Sequence, residues 1–254
     1  MPGRSRPRIL CSRYRVLIDI RTVAQTGSTN ADLVALARAG AVAEGFWLRA
    51  ERQSAGRGRQ GRVWASPVGN LCASTLVQVR PGDPAAATLG FVAAVALAEV
   101  VAGLLPDAGA RATLKWPNDL LVGGAKLSGI LLERTEDAVV VGIGVNLAHH
   151  PDLPDRRTTS LAAQGATVAP GAFAPMLAEA FARWVARWRA QGFAAVRAQW
   201  LAGAHAVGTA ISAALPDGSI VAGDFADLDA DGALILRLAS GERRAIHAAD
   251  VFLV

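Results

Sequence analysis

The residues best equipped for chemistry lie in three short runs. The first is Gly56-Arg57-Gly58-Arg59-Gln60-Gly61-Arg62. Its glycines let the backbone approach a ligand closely, and its arginines are permanently charged forks for carboxylate or phosphate oxygens. The run also fits the G-x-G-x-x-G spacing of dinucleotide sites, which need a strand before it and a helix after it. Residues 51–55 and the following Val63-Trp64-Ala65-Ser66-Pro67 supply neither, since Pro67 opposes a helix. An anion-binding loop is therefore expected, floppy while empty because its charges repel; a solvated basic loop is the bland alternative.

The second run is Lys115-Trp116-Pro117-Asn118-Asp119, continued by Lys126-Leu127-Ser128-Gly129-Ile130-Leu131-Leu132-Glu133. Of 26 basic side chains only Lys115 and Lys126 are lysines. Against such a bias toward arginine, both read as compact point charges for an anion rather than as surface residues. The third run is Gly142-Ile143-Gly144-Val145-Asn146-Leu147. Glycines in a strand mark close backbone approach, and Asn146 offers hydrogen bonds to a base or a ribose.

The intervening segments must position these runs. Ser28, Thr29 or Asn30 caps a helix over 31–39, stopped by Gly40. Residues 45–50 read as a strand, the Arg loop then runs to Asn70, and 71–79 form a buried strand. Residues 85–105 are apolar enough to suggest a membrane span, but Glu99, the many alanines and the lack of a basic flank favour a buried helix. Residues 114–133 alternate short strands around Gly123-Gly124, and 139–147 form another buried strand. After a loop with Pro151 and Pro154, the side chains Phe173, Leu177, Phe181, Trp184 and Trp188 recur at helical spacing, as a core stripe. A further helix covers 193–201. From 207 onward, apolar segments at 210–215, 220–224, 233–238 and 244–251 alternate with Pro-Asp-Gly, Asp-Gly and Ser-Gly turn signals. The chain thus divides into a basic tail (1–22), a main body (23–206) and a small all-β domain (207–254), expected to be a barrel.

Composition removes other classes. With 254 residues, 52% hydrophobic and 19% charged, the chain can bury a real core. Cys11 and Cys72 form no C-x-x-C pair, and His149, His150, His205 and His247 match no metal-ligand spacing. The net charge of +5 is concentrated in the tail, where six arginines stand against one acid. The rest is balanced, so a nucleic-acid partner does not follow from the high pI. The tail lacks a secretory apolar core and is too short for a helix-turn-helix domain. A cytoplasmic protein with no membrane or nucleic-acid partner is expected, indifferent to loss of 1–22.

Together with Gly27-Ser28-Thr29-Asn30 upstream, the three runs in this order resemble the biotin protein ligases, over residues 23–254. The resemblance implies an α/β (α+β) fold: a central domain related to class II aminoacyl-tRNA synthetases and lipoate ligases, with a small C-terminal SH3-like β-barrel. It implies that biotin and ATP, with Mg²⁺, give biotinyl-5′-AMP, which then acylates a lysine of a biotin carboxyl carrier protein or domain. Carried over residue by residue, Ser28, Thr29, Asn30 and Gln53 hold the ureido head, with Gly56, Gly58 and Gly129 along the biotin site. Arg57, Arg59 and Lys126 form the catalytic set, touching both the biotin carboxylate and the α-phosphate. Arg62, Trp64, Lys115, Asn118 and Asn146 fall on the ATP side, Trp64 walling the adenine and Asn146 bonding it. Gly129 and Gly144 permit the ligand's close passage. Asp119 supports a metal or the acceptor lysine, with no dedicated metal ligands. Gln60 departs from the family pattern, where arginine or histidine is frequent. The winged-helix domain of the repressor-type ligases is not found, which argues for a monofunctional enzyme, monomer or homodimer. A lipoate or octanoate ligase of the same fold, a non-catalytic biotin or acyl-adenylate sensor, and a nucleic-acid binder acting through the tail are the alternatives.

Overall fold

The computed structural model describes residues 18–106 and 111–253. The main body is a mixed seven-stranded sheet. Its strands are β1 (Asp19–Thr26), β2 (Phe46–Gln53), β3 (Leu71–Gln78), β4 (Ala112–Lys115), β5 (Asp119–Val122), β6 (Ala125–Arg134) and β7 (Ala138–Val145), in the order β1-β2-β3-β7-β6-β5-β4. Only the β1–β2 pair is parallel, bridged by helix α1 (Thr29–Arg38); the other neighbours are antiparallel.

Strand alternation decides where the site lies. Along β7, Val139, Val141, Ile143 and Val145 face the main core, against helices α2 (Leu89–Ala102) and α3 (Pro170–Gln191). Val140 faces the other way, into a smaller cluster with Leu33 of α1, Phe46, Leu48 and Leu76. Gly142 and Gly144 share that second face with no apolar side chain to give it, and α1 reaches only its Gly142 end, through Asn30. The uncovered part of this face becomes the floor of a cavity.

Helix α2 is apolar on nearly every side and buried, starting at Leu89 after a short 3₁₀ turn and ending before Gly103, shorter than the expected 85–105. Its lone acid, Glu99, accepts from the Trp184 indole at 2.8 Å and pairs with Arg183. The aromatic stripe of α3 is buried as expected, and α4 (Phe193–Gly203) follows after Gly192, whose φ of 72° turns the chain.

The small domain is a five-stranded antiparallel sheet of β8 (Ala210–Ala214), β9 (Ile220–Leu228), β10 (Leu234–Arg237), β11 (Arg243–Ile246) and β12 (Asp250–Leu253), ordered β11-β10-β9-β8-β12. Two expectations need correction. The segment 244–251 is not one strand: the chain bends after Ile246 so that β12 can cross to the opposite edge and pair with β8. The expected tail also extends too far, because β1 begins at Asp19 and its residues through Thr22 pair with Phe46–Arg49. Sparse apolar content, not absent structure, hid that edge strand. Arg21 lies over the Phe46 ring, and Thr22 accepts from Arg49. The rest of the expected tail, Cys11 included, lies outside the described residues.

Candidate active site

A cavity of about 430 Å³ opens over Gly142 and Gly144. Every residue assigned to the site by the sequence lines it, apart from Gly56, which is buried at the start of the Arg loop.

One end is neutral. Ser28 is the N-cap of α1, its hydroxyl accepting from Ala31 N–H, so Thr29 and Asn30 fall in the first helical turn and point back to the sheet. The Thr29 amide and hydroxyl donate to Gln53 Oε1 at 2.8 and 3.1 Å, and Gln53 Nε2 donates to Ser66. Ser74, opposite Gly142 on β3, donates to Asn30 Oδ1 at 2.6 Å. Asn30 is buried and leans over Gly142, where an added Cβ would meet its Oδ1 at 2.2 Å. Burying this many polar groups is tolerable because they bond one another.

The other end is charged. Lys126 on β6 pairs with Asp119 on β5 at 2.6 Å, both largely buried, with side chains 17% and 11% exposed. Lys115 at the end of β4 is half-buried, and burial pulls its ammonium below the ordinary value; Lys126 and Arg156 nearby reinforce this against Asp119. Asn118 donates to the Ile130 carbonyl at 2.7 Å and accepts from Arg59 at 3.4 Å.

The Arg loop crosses the mouth. It is pinned by the Trp64 amide donating to the Gly56 carbonyl at 2.9 Å, and Gly56 has no room for a side chain, since a Cβ would lie 2.5 Å from Trp64 O. Gln60, the departure from the family pattern, takes the left-handed φ of 55° and accepts from Arg62 at 2.8 Å. Arg57 is exposed, with no ion-pair or hydrogen-bond partner for its guanidinium among the described residues. Trp64 folds inward over Gly144 and Gly129, and Lys126 lies over its ring at 5.8 Å. Its indole Nε1 is buried and unbonded. Gly144 thus admits Trp64 itself, beyond the passage for a ligand expected of it. Asn146 is buried, with one amide N–H donated to the Thr159 carbonyl at 3.0 Å, which leaves its Oδ1 and its second N–H to meet a base.

The loop after β7 and the C-terminal sheet also reach the cavity, and sequence reasoning missed both. Arg156 and Thr158 contribute from the first; Asp250, Val251 and Phe252 of β12 contribute from the second. Asp250 pairs with Arg62 and the Phe252 ring lies 5.8 Å from Lys115. No motif marked them, because tertiary contacts alone bring them in.

Residues 25–147 match the Biotin/lipoate A/B protein ligase family, and 207–254 match the Biotin protein ligase C terminal domain. Fold and site therefore define a ligase of the biotin/lipoate type. The chain is 44% identical over 241 residues to a biotin--[acetyl-CoA-carboxylase] ligase of Paracoccus denitrificans, spanning 91% of this chain and 98% of that one. It is 38% identical over 233 residues to the ligase of the same name from Mycobacterium tuberculosis, spanning 90% and 86%. The chain belongs to the biotin protein ligase family. Its fold also matches the Aquifex aeolicus biotin protein ligase solved with biotin and ATP, at TM-score 0.80, 22% identity, and 93% and 99% coverage. Among the described residues no helix is long and apolar enough to cross a membrane.

Proposed function

We propose that this chain joins biotin to ATP as biotinyl-5′-AMP and then passes the biotinyl group to a lysine of a biotin carboxyl carrier domain, in the cytoplasm. One observation carries the reading: a single cavity has a neutral, hydrogen-bonded end and a cationic end. Biotin has that same division, a ureido head of donors and an acceptor on one side and a carboxylate on the other.

In the first step a biotin carboxylate oxygen attacks the α-phosphorus, and the bond to the β-phosphate oxygen breaks to release pyrophosphate. Two anions must meet. Arg57, Arg59 and Lys126 are the residues assigned to hold them together and to stabilise the charge on the crowded phosphorus. Lys126 must exchange Asp119 for the substrate oxygens. Trp64 and the Arg loop exclude water from the mixed anhydride. In the second step the acceptor lysine, as the free amine, attacks the acyl carbon; the acyl carbon–oxygen bond to AMP breaks, AMP leaves with the electron pair, and the nitrogen gives up a proton to solvent as the amide forms. Asp119, released from Lys126, is the residue assigned to receive that lysine.

Magnesium would enter with the triphosphate. Among the described residues no group of three His, Cys, Asp or Glu side chains could cage it, so phosphate oxygens would supply most of its ligands, with Asp119 the carboxylate assigned to support it. When bound, it withdraws charge from the phosphates.

Biotin-dependent ATP–pyrophosphate exchange, with lipoate in parallel, tests the reading. Exchange with biotin alone is expected; exchange with lipoate alone would move the chain to the sister activity, and silence with both would favour a sensor.

A further inference from the structure

The Arg loop, expected to be floppy when empty, already has a partner. Arg62 donates to Asp250 Oδ1 at 2.7 Å. Arg59 donates to the neighbouring Ala249 carbonyl at 3.5 Å and feels the Asp250 charge. Both acceptors belong to the C-terminal domain, Asp250 at the start of β12 and Ala249 just before it, far away in sequence.

That sheet is fixed against the main body. The Trp116 indole donates to the Gly232 carbonyl at 2.9 Å, and Gly232 packs so closely on Phe91 that a Cβ would lie 2.6 Å from its ring. Trp200 packs edge-on against Phe225, and Arg197 donates to the Leu228 carbonyl. Asp250 is therefore carried on a rigid support to the cavity mouth, where it lines the cavity itself. An acid here is unexpected chemically: the site must receive a triphosphate, which a carboxylate repels. Its effect on the empty site is the reverse, because it neutralises arginines that would otherwise push the loop apart.

We propose that Asp250 is a positioning residue that stands in for phosphate: it holds Arg62 and the Arg loop over the empty cavity until the nucleotide's phosphates replace it. The proposal rests on reading the cationic end as the nucleotide site. The pair is partly solvated, with side chains 37% and 29% exposed, which suits a contact that must be exchanged. Lys126 and Asp119 repeat the device deeper in the cavity.

The test compares the full-length chain with Asp250→Asn and Asp250→Glu. Trypsin is applied to the ligand-free proteins and cleavage after Arg57, Arg59 and Arg62 is followed by mass spectrometry. Cleavage of the loop is expected to be several-fold faster in Asp250→Asn, restored in Asp250→Glu, and equalised by biotin with ATP. In pyrophosphate exchange, KM for ATP is expected to fall about threefold to fivefold in Asp250→Asn, because a contact made only in the empty site opposes nucleotide binding, with kcat nearly unchanged. Unchanged loop cleavage, faster cleavage spread over the whole chain, or an unchanged or higher KM for ATP would overturn the proposal. If no variant, wild type included, exchanges pyrophosphate, the functional reading fails while the cleavage comparison still decides the role of Asp250.

Discussion

The two ends of the cavity are built on opposite plans. The neutral end rests on regular structure: a helix cap, the first turn of α1 and two strands, with Thr29, Asn30, Gln53 and Ser74 bonded to one another before any ligand arrives. The charged end rests on loop and strand termini, and several of its cations have a carboxylate in place: Lys126 has Asp119, Arg62 has Asp250. A hydrogen-bonded neutral network can wait unchanged for its ligand. A set of unpaired cations cannot, because mutual repulsion and desolvation would disperse it. The neutral end is thus suited to selecting the substrate, and the charged end to reacting by exchange of partners.

The largest effects are expected at the charged end. Lys126→Ala or Arg57→Ala should each lower adenylate formation by about a hundredfold or more, the scale of losing a preorganised charge contact in a dry site. Pyrophosphate exchange measures this directly. Near-normal turnover in both variants would remove these side chains from the chemistry and erase the contrast between the ends.

Next comes rigidity, which two glycines compare. In Gly142→Ala the new methyl would lie 2.2 Å from Asn30 Oδ1, in a network with no slack, whereas in Gly58→Ala the nearest atom lies 3.5 Å away. Overpacking in a filled site costs about 1–3 kcal/mol, so Gly142→Ala should lower Tm clearly while Gly58→Ala stays near wild type. Equal Tm values for the two would mean that the neutral end yields as easily as the loop.

The same contrast governs how much was legible in the sequence. At the neutral end, the Ser28 cap and the glycines at 142 and 144 were readable by local rules, whereas Gln53 came only from the family resemblance: its strand runs to Gln53, three residues past the expected 45–50. The lysines were readable because they stood out against arginine. Most strands of the main body and the C-terminal all-β domain followed from periodicity and turn residues, whereas the assembly of those strands into one sheet came only from the family resemblance. What escaped was long-range. Nothing near Asp250 announces that β12 crosses its sheet to meet Arg62, and nothing in 151–158 announces a cavity wall. All of β1 escaped for a different reason: an edge strand of mostly exposed, largely polar residues looks like a tail or a loop.

The smallest effect is expected from acid. The Asp250 carboxyl lies below its ordinary value of 3.8: burial alone would raise it, but the Arg62 hydrogen bond and the charges of Arg62, Arg59 and Arg156 outweigh burial. A carboxyl depressed by folding adds stability above its unfolded pKa and gives it up as pH falls through the folded value. The Tm advantage of wild type over Asp250→Asn should therefore be full at neutral pH and shrink as the pH drops below 3.8. Solvent screening keeps it to about 1 kcal/mol or less. The advantage over Asn30→Ala should stay flat across the same range, since none of the side chains bonded to Asn30 titrates there. Thermal melts of the three proteins against pH separate the two plans: an Asp250 advantage that persists in acid would mean that its charge holds nothing.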